Sequence, residues 1–271
     1  MAIICMAVHD TVENKRSNLT LRTLNSLWST VDWFEQKHRL VIIDNNSCDE
    51  TKDILYNFKE RMFDTWNEQV RIITNAINIG TAAAINQGLK LRNMEEYAVK
   101  MDNDVVFYKN GWLEEMQEAI MRKPDIGILG LKRRDCTESV YSIDTNLKSK
   151  IVELPHEPGQ KWYYVEECKH VMGTCTMLNP ALLAQIGYFF QHGLYGFDDS
   201  LLCVRSRVAG FTNAFLCGVD IEHIDPGGDE YTQWKQDEAR RSLDAFVKEC
   251  IAYETGAKSI YYNPFETPVN A

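Results

Sequence analysis

The chain has 271 residues, 45% hydrophobic, 25% charged and 11% aromatic, enough apolar material to bury a core and too much for wholesale disorder. Its formal charge of -10, from 39 acidic against 29 basic residues, disfavours duplex DNA and phospholipid surfaces at long range. Apolar runs such as Ile126 to Leu131 and Leu40 to Ile43 stop well short of the ~20 residues a membrane helix needs, so no integral membrane anchor is expected.

Met1 to Val8 is apolar, has no basic region ahead of it and runs at once into His9-Asp10. It therefore reads as a first strand, Ala2 to Val8, at the start of the mature protein, and not as a signal peptide. A helix follows in which Leu21, Leu24, Trp28 and Val31 share one face, with Ser17 or Asn18 as cap. The same unit recurs: Arg39 to Asp44 and a helix from about Asp49, Val70 to Thr74 and a helix from about Thr81 to Arg92, then Tyr97 to Met101. After these come a helix at Trp112 to Met121 and the apolar run at Ile126. Such βαβ alternation predicts an α/β fold with a mostly parallel central sheet, helices on both faces, and a ligand site at the carboxyl ends of the strands.

Lys132 to about Gln160 is polar and aperiodic and reads as a long surface excursion. Regular pattern returns at Trp162 to Val165 and Val171 to Leu178. Asn179-Pro180 then cap and open a short helix that Gly187 closes. Phe197 to Ala209 and Tyr231 to Tyr253 read as helices, Phe211 to Val219 as a strand, and Lys258 to Ala271 as an extended tail. The expected organisation is one domain over 1–257, in two halves at about 1–131 and about 132–257, followed by the tail. The cysteine count of 8, with no CxxC pair and no leader, fits free thiols in a reducing cytoplasm.

Polar residues gather at the carboxyl ends of successive strands: His9-Asp10, Asp44 to Ser47, Asn75 to Asn78, and Asp102-Asn103-Asp104. Any one cluster is an ordinary turn or helix cap. Four at one sheet edge point to a site. In extended chain Asp102 and Asp104 project to one side, roughly 6 to 7 Å apart at ~3.3 Å per residue. Carboxylates that close call for a cation, and a hard oxygen-liganded ion, Mg²⁺ or Mn²⁺, would also take up the charge of a substrate diphosphate.

With these motifs in this order, the chain resembles a glycosyltransferase of the GT-A fold, close to the family-2 type that transfers sugars from nucleotide-sugar donors with inversion. The resemblance covers about Ala2 to His223. It rests on His9-Asp10, Ile43 to Thr51, Asn78-Ile79-Gly80 with Asn86 and Gly88, the Asp-x-Asp at 102 to 104, and Gly196-Phe197-Asp198-Asp199 followed by Arg205 and Gly210. It implies that Asp44 accepts a hydrogen bond from the donor base and that His9 and Asp10 lie at the neighbouring nucleotide-binding edge. Asn78 and Gly80 would line the donor site, with Asn103 beside them. Asp102 would sit near the ribose or metal, Asp104 would ligate the metal, and His223 would complete its coordination. Asp198-Asp199 stand where the family carries an acidic pair whose second member is the general base, which prefers Asp199 and leaves Asp198 open.

Gly173 to Thr176 would line the sugar and acceptor pocket, with Trp162, Tyr163 and Tyr164 able to stack on a sugar ring. Cys168, His170 and Cys175 make a weak zinc set, lacking a fourth ligand. The activity implied is metal-dependent hexosyl or pentosyl transfer, with Mn²⁺ or Mg²⁺ as cofactor and a UDP-sugar as favoured donor. The acceptor stays open among a glycan, a lipid-linked sugar, a protein, a small molecule and a modified nucleic-acid base. A sugar nucleotidyltransferase would carry a glycine-rich loop after the first strand, where this chain has His9-Asp10-Thr11-Val12. A non-catalytic nucleotide-sugar-binding subunit is the other alternative.

Overall fold

The computed structural model describes residues 1–63, 69–135 and 150–266. Strand β1 (Ala2–Val8) lies at the centre of the parallel half, between β2 (Arg39–Asp44) and β4 (Tyr97–Met101), with β3 (Val70–Thr74) outside β2. Its side chains alternate: Ile4, Met6 and Val8 enter one apolar cluster, Ile3 and Cys5 the other, as the two-residue period of a strand requires. Helices α1 (Ser17–Thr30), α2 (Asp49–Phe63) and α4 (Trp112–Arg122) cover the first face through Leu24, Leu27, Leu55 and Met116. Helices α3 (Thr81–Leu89), α5 (Pro180–Ile186) and α6 (Asp198–Val208) cover the second through Ile85, Leu182 and Leu202. The α/β architecture with a parallel core flanked by helices is thus the one expected.

Beyond β4 the sheet is mixed. β9 (Cys175–Leu178) pairs antiparallel with both β4 and β6 (Ile126–Arg133); β10 (Thr212–His223) runs parallel to β6, and β8 (Tyr164–Cys168) and β7 (Lys150–Glu153) close that edge antiparallel. The two-residue strand β5 (Val105–Val106) stands off this path and pairs antiparallel with the end of β10, Val105 opposite His223. Long α7 (Glu230–Glu254) lies on α6 through Leu201, Val204 and Tyr253.

Helix α1 departs from its expected face. Leu21 is 37% exposed, and Thr20 and Thr23 are buried instead, because their hydroxyls bond Asp10 and the Asn103 carbonyl. Arg16 occupies the N-cap position with no side-chain cap, and Ser17 turns its hydroxyl to accept from Thr51 at 2.8 Å. The Asn179-Pro180 start is as expected: Asn179 Oδ1 accepts from Ala181 N–H at 2.9 Å, and Gly187 at φ 72 ends the helix.

The described part of the tail is docked, with the Tyr262 carbonyl accepting from Tyr188 N–H at 2.8 Å and Tyr262 N–H donating to Ile186 at 3.0 Å. The middle of the 132 to 160 excursion, with Cys136, and the end of the tail lie outside the described residues. All cysteines among the described residues are free. No helix among the described residues is long and apolar enough to cross a membrane.

Candidate active site

Register aligns the carboxyl ends of the parallel strands, Val8 opposite Asp44 and Asp44 opposite Thr74. The residues that follow them open into a cavity of about 510 Å³, which His9, Asp10, Asn45, Asn78, Asp102 and Asp104 help to line from this edge. Asp198 and Asp199 line it from the start of α6, and His223 from the end of β10.

Asp10 is fully buried, and its carboxylate accepts from Thr20 Oγ1 at 2.5 Å, Asn103 Nδ2 at 2.9 Å and Thr51 Oγ1 at 3.2 Å. Burial pushes its carboxyl up, and these three hydrogen bonds act against that. The net effect of the geometry is to lock the turn after β1 to α1, α2 and the Asp-x-Asp segment. Asp44 folds over its own turn, Oδ1 accepting from Ser47 N–H at 2.8 Å, and it is Asn45 that lines the cavity at this strand end. Asn45 Nδ2 donates to Asn78 Oδ1 at 2.7 Å, which also accepts from Gly80 N–H at 2.9 Å. Gly80 has φ 87, and a Cβ there would stand 3.0 Å from Leu194 Cα, so this turn needs glycine for conformation and for space.

Lys100 is buried in β4 and donates to Asp102 Oδ1 at 2.6 Å and to the Gly173 carbonyl at 2.5 Å. Burial pulls its ammonium down, but Asp102 and Asp198 more than reverse this and leave it raised. The sequence signal for Lys100 is a charged residue inside an otherwise apolar strand, a type rarely buried without partners.

Asp104 Oδ1 faces His223 Nε2 at 3.4 Å, and Oδ2 faces Arg16 Nη1 at 3.7 Å. Among the described residues no hydrogen bond of good geometry reaches the buried Oδ1. One ligand atom each from Asp104, His223 and Asp225 lie within 4.8 Å of one another. Asp102 stands outside this set, engaged by Lys100, and Asp225 enters it unforeseen. Its signal was the His-x-Asp spacing at the end of a strand, which projects both side chains one way. Asp225 also accepts from Arg16 Nη2 at 2.7 Å and Lys235 Nζ at 2.6 Å. Burial raises the Asp104 carboxyl, and the histidine opposite more than offsets it, so the group is held low. An oxygen-and-imidazole donor set with an orphaned buried carboxylate oxygen fits a hard divalent cation.

At the N-terminus of α6, Asp199 Oδ2 accepts from Gly173 N–H at 3.0 Å and lies 3.5 Å from His170 Nε2, while Oδ1 accepts from Ser200 N–H at 2.6 Å. Burial opposes its charge, but His170 and Lys100 hold it well below the usual carboxylate range. Asp198 behaves oppositely: burial, with the neighbouring carboxylates, outweighs Lys100 and lifts it to about 6. Its Oδ2 is buried with no hydrogen-bond partner among the described residues.

The zinc set does not assemble. His170 turns to Asp199 and Ser200, Cys168 donates to the His170 carbonyl at 3.0 Å, and Cys175 is buried in β9. Nor do the aromatics at 162 to 164 face the site: Trp162 packs on His156 at 4.0 Å, and Tyr163 is buried beside Arg122. The rings that do line the cavity include Tyr195, Tyr231 and Trp234, with Phe197 beside them.

A parallel α/β core with this acid-lined carboxyl edge defines the GT-A class of glycosyltransferase fold. Residues 11–187 match the model of glycosyl transferase family 2. The chain belongs to that family. No curated protein sequence matches it. Among solved structures it is similar to the mannosyltransferase PcManGT from Pyrobaculum calidifontis in complex with GDP-Man and Mn²⁺, at TM-score 0.65 and 16% identity, covering 95% of this chain and 65% of that one. It is also similar to GalNAc-T7 with UDP, GalNAc and Mn²⁺, at TM-score 0.59 and 14% identity over 83% of this chain and 44% of that one. A third is S. aureus TarS 1-349, at TM-score 0.50 and 17% identity over 80% and 57%. The chain thus spans less than two thirds of each of these, and at such identities the likeness is one of fold.

Proposed function

We propose that the protein is a metal-dependent inverting glycosyltransferase that moves a sugar from a nucleotide diphosphate sugar to an acceptor hydroxyl. One observation carries this reading: Asp104 and His223, which with Asp225 form a cation-ready cluster, line the same cavity as the acidic pair Asp198 and Asp199. The Mn²⁺ complexes of PcManGT and GalNAc-T7 support a divalent ion on Asp104, His223 and Asp225, with Asp102 beside them. When bound, the ion supplies charge neutralisation for the diphosphate. The uridine nucleotide bound by GalNAc-T7 favours a UDP-sugar and the guanosine one of PcManGT is the second choice.

His9, Asn45, Asn78 and Gly80 would form the nucleotide-side wall, with Asp10, Asp44 and Asn103 holding its turns in place. Arg16 and Lys235, both on the cavity wall, offer cations to the departing diphosphate. On the acceptor side a carboxylate must take the hydroxyl proton as the new glycosidic bond forms. Asp198 is the stronger base, but its free oxygen is buried, whereas the Asp199 side chain is 26% exposed. Access decides, and Asp199 is assigned the proton.

The test is nucleotide diphosphate release from a panel of nucleotide sugars with Mn²⁺ or Mg²⁺. Asp104→Ala and Asp199→Asn should each abolish it, and undiminished release by both variants would overturn the assignment.

A further inference from the structure

The proposed transfer chemistry leaves one wall of the cavity without a role. Trp234, on the first turns of α7, stacks on Tyr231 with ring centres 5.5 Å apart and planes at 11°, and Tyr195 meets Trp234 at 6.1 Å. All three rings are half-buried and line the cavity. Tyr195 lies three residues before Asp198, in a turn with positive φ at Gly193, Gly196 and Phe197. That turn is fixed from both sides. A Cβ on Gly196 would stand 3.1 Å from Ala239 Cβ of α7, Phe197 stacks on Phe246 at 4.2 Å, and Thr81 N–H bonds the Leu194 carbonyl at 3.1 Å. The aromatic wall and the acidic pair are therefore carried by one rigid unit.

Half-exposed rings in a polar cavity call for a ligand with an apolar face and polar edges. A pyranose ring has such a face in its axial C–H groups, which carry partial positive charge and suit the negative face of an indole. Its outward hydroxyls would meet the polar side chains nearby, Asp199 and Ser200 among them. A lipid chain would gain nothing from the cations Arg16 and Lys235, which lie over the Tyr231 ring at 4.5 Å and 4.9 Å.

We infer that Tyr195, Trp234 and Tyr231 form the acceptor subsite and that the acceptor is a carbohydrate whose terminal pyranose packs on Trp234 with one hydroxyl directed to Asp199. The inference rests on the transferase reading above. In the step it implies, the acceptor oxygen bonds the anomeric carbon, its proton passes to the Asp199 carboxylate, and the nucleotide diphosphate leaves with the electrons of the broken C–O bond.

The test is saturation-transfer NMR of the wild-type protein with UDP and diamagnetic Mg²⁺, against methyl α- and β-glycosides of glucose, galactose, mannose and N-acetylglucosamine. At least one glycoside should receive saturation at its ring C–H protons. Trp234→Ala should weaken that binding roughly tenfold or more, Trp234→Phe should keep it within about threefold, and Trp162→Ala, whose indole lies outside the cavity, should leave it unchanged. A melting curve checks that each variant is folded. If no glycoside binds, or Trp234→Ala binds as well as wild type, the subsite is wrong. Weaker UDP binding in Trp234→Ala with glycoside binding intact would make the wall a nucleobase platform and overturn it too. Failure of wild type to bind either UDP or GDP with Mn²⁺ would instead sink the transferase reading.

Discussion

Asp104 and His223 face each other at 3.4 Å because β5 pairs antiparallel with the end of β10, which sets Val105 opposite His223 and lets Ile224 N–H bond the Asp104 carbonyl at 2.9 Å. Two backbone contacts thus hold a carboxylate and an imidazole together, with Asp225 beside them. Arg16 and Lys235 balance this charge from the protein side. Asp104→Asn should remove Mn²⁺ binding measured by calorimetry in the presence of UDP, and His223→Ala should weaken it roughly tenfold or more. A chelator should stop nucleotide release. Unchanged Mn²⁺ affinity in both variants would refute the metal assignment.

The opposed shifts of Asp198 and Asp199 give separable effects. Burial lifts the Asp198 carboxyl to about 6, against an unfolded value of about 3.9. Between those values the folded state holds more protons than the unfolded one, so the contribution of Asp198 to stability falls as pH rises from about 4 to 6 and stays unfavourable above. Asp198→Asn should therefore raise the melting temperature at pH 7.5, by roughly 2–4 °C for each kcal/mol relieved, and leave it unchanged at pH 4. Asp199→Asn should lower transfer about 10²–10⁴-fold, with a smaller loss for Asp198→Asn. Equal losses, or no stabilisation at pH 7.5, would count against the division of roles.

The legible part of the site is the part built on long buried strands. β1 to β4 are strands of five to seven residues rich in apolar side chains, so their carboxyl ends, and with them His9, Asp10, Asn78 and Asp102 to Asp104, could be placed by period and order alone. β5 has two residues, too few to carry any period, and the pairing that brings His223 and Asp225 to Asp104 depends on it. Tyr231 and Trp234 are spaced like any core face of a helix; only the packing of α7 against the 193 to 197 turn turns them toward the cavity. Trp162, Tyr163 and Tyr164 have the better local composition, but Tyr163, just before β8, lies beneath Arg122 instead. Asp44 folds back on its own turn, Oδ1 accepting from Ser47 N–H, while its buried Oδ2 has no hydrogen-bond partner among the described residues.

Gly80 sets the entrance of α3 against the 193 to 197 turn. With φ 87 and backbone of Leu194 3.0 Å from the site of a Cβ, Gly80→Ala meets both strain and overlap with atoms that cannot swing away. Such a change should cost about 1–3 kcal/mol in urea unfolding. Because Asn78 and Asn45 hang on the same turn, affinity for UDP with Mn²⁺ should fall in step, and a variant as stable and as tight as wild type would show that the turn is slack.

Arg205 secures the other side of α6. It is fully buried and donates through Nε to the Ile260 carbonyl at 2.7 Å, through Nη1 to Tyr188 at 2.6 Å and through Nη2 to Ile186. Burial lowers its guanidinium to about 10, so it stays charged at neutral pH, with carbonyl dipoles as its hydrogen-bond acceptors. Three directions are served at once by a planar fork, which a lysine cannot reproduce. Arg205→Ala leaves those carbonyls without their donor and should cost about 3–5 kcal/mol, with Arg205→Lys recovering little of it. The Ile260 bond also ties the C-terminal segment to the core, so proteolysis between Lys258 and Phe265 should quicken in both variants before the rest of the chain is cut. A urea midpoint equal to wild type, with no faster cleavage there, would mean that the Tyr262 backbone bonds alone hold the segment.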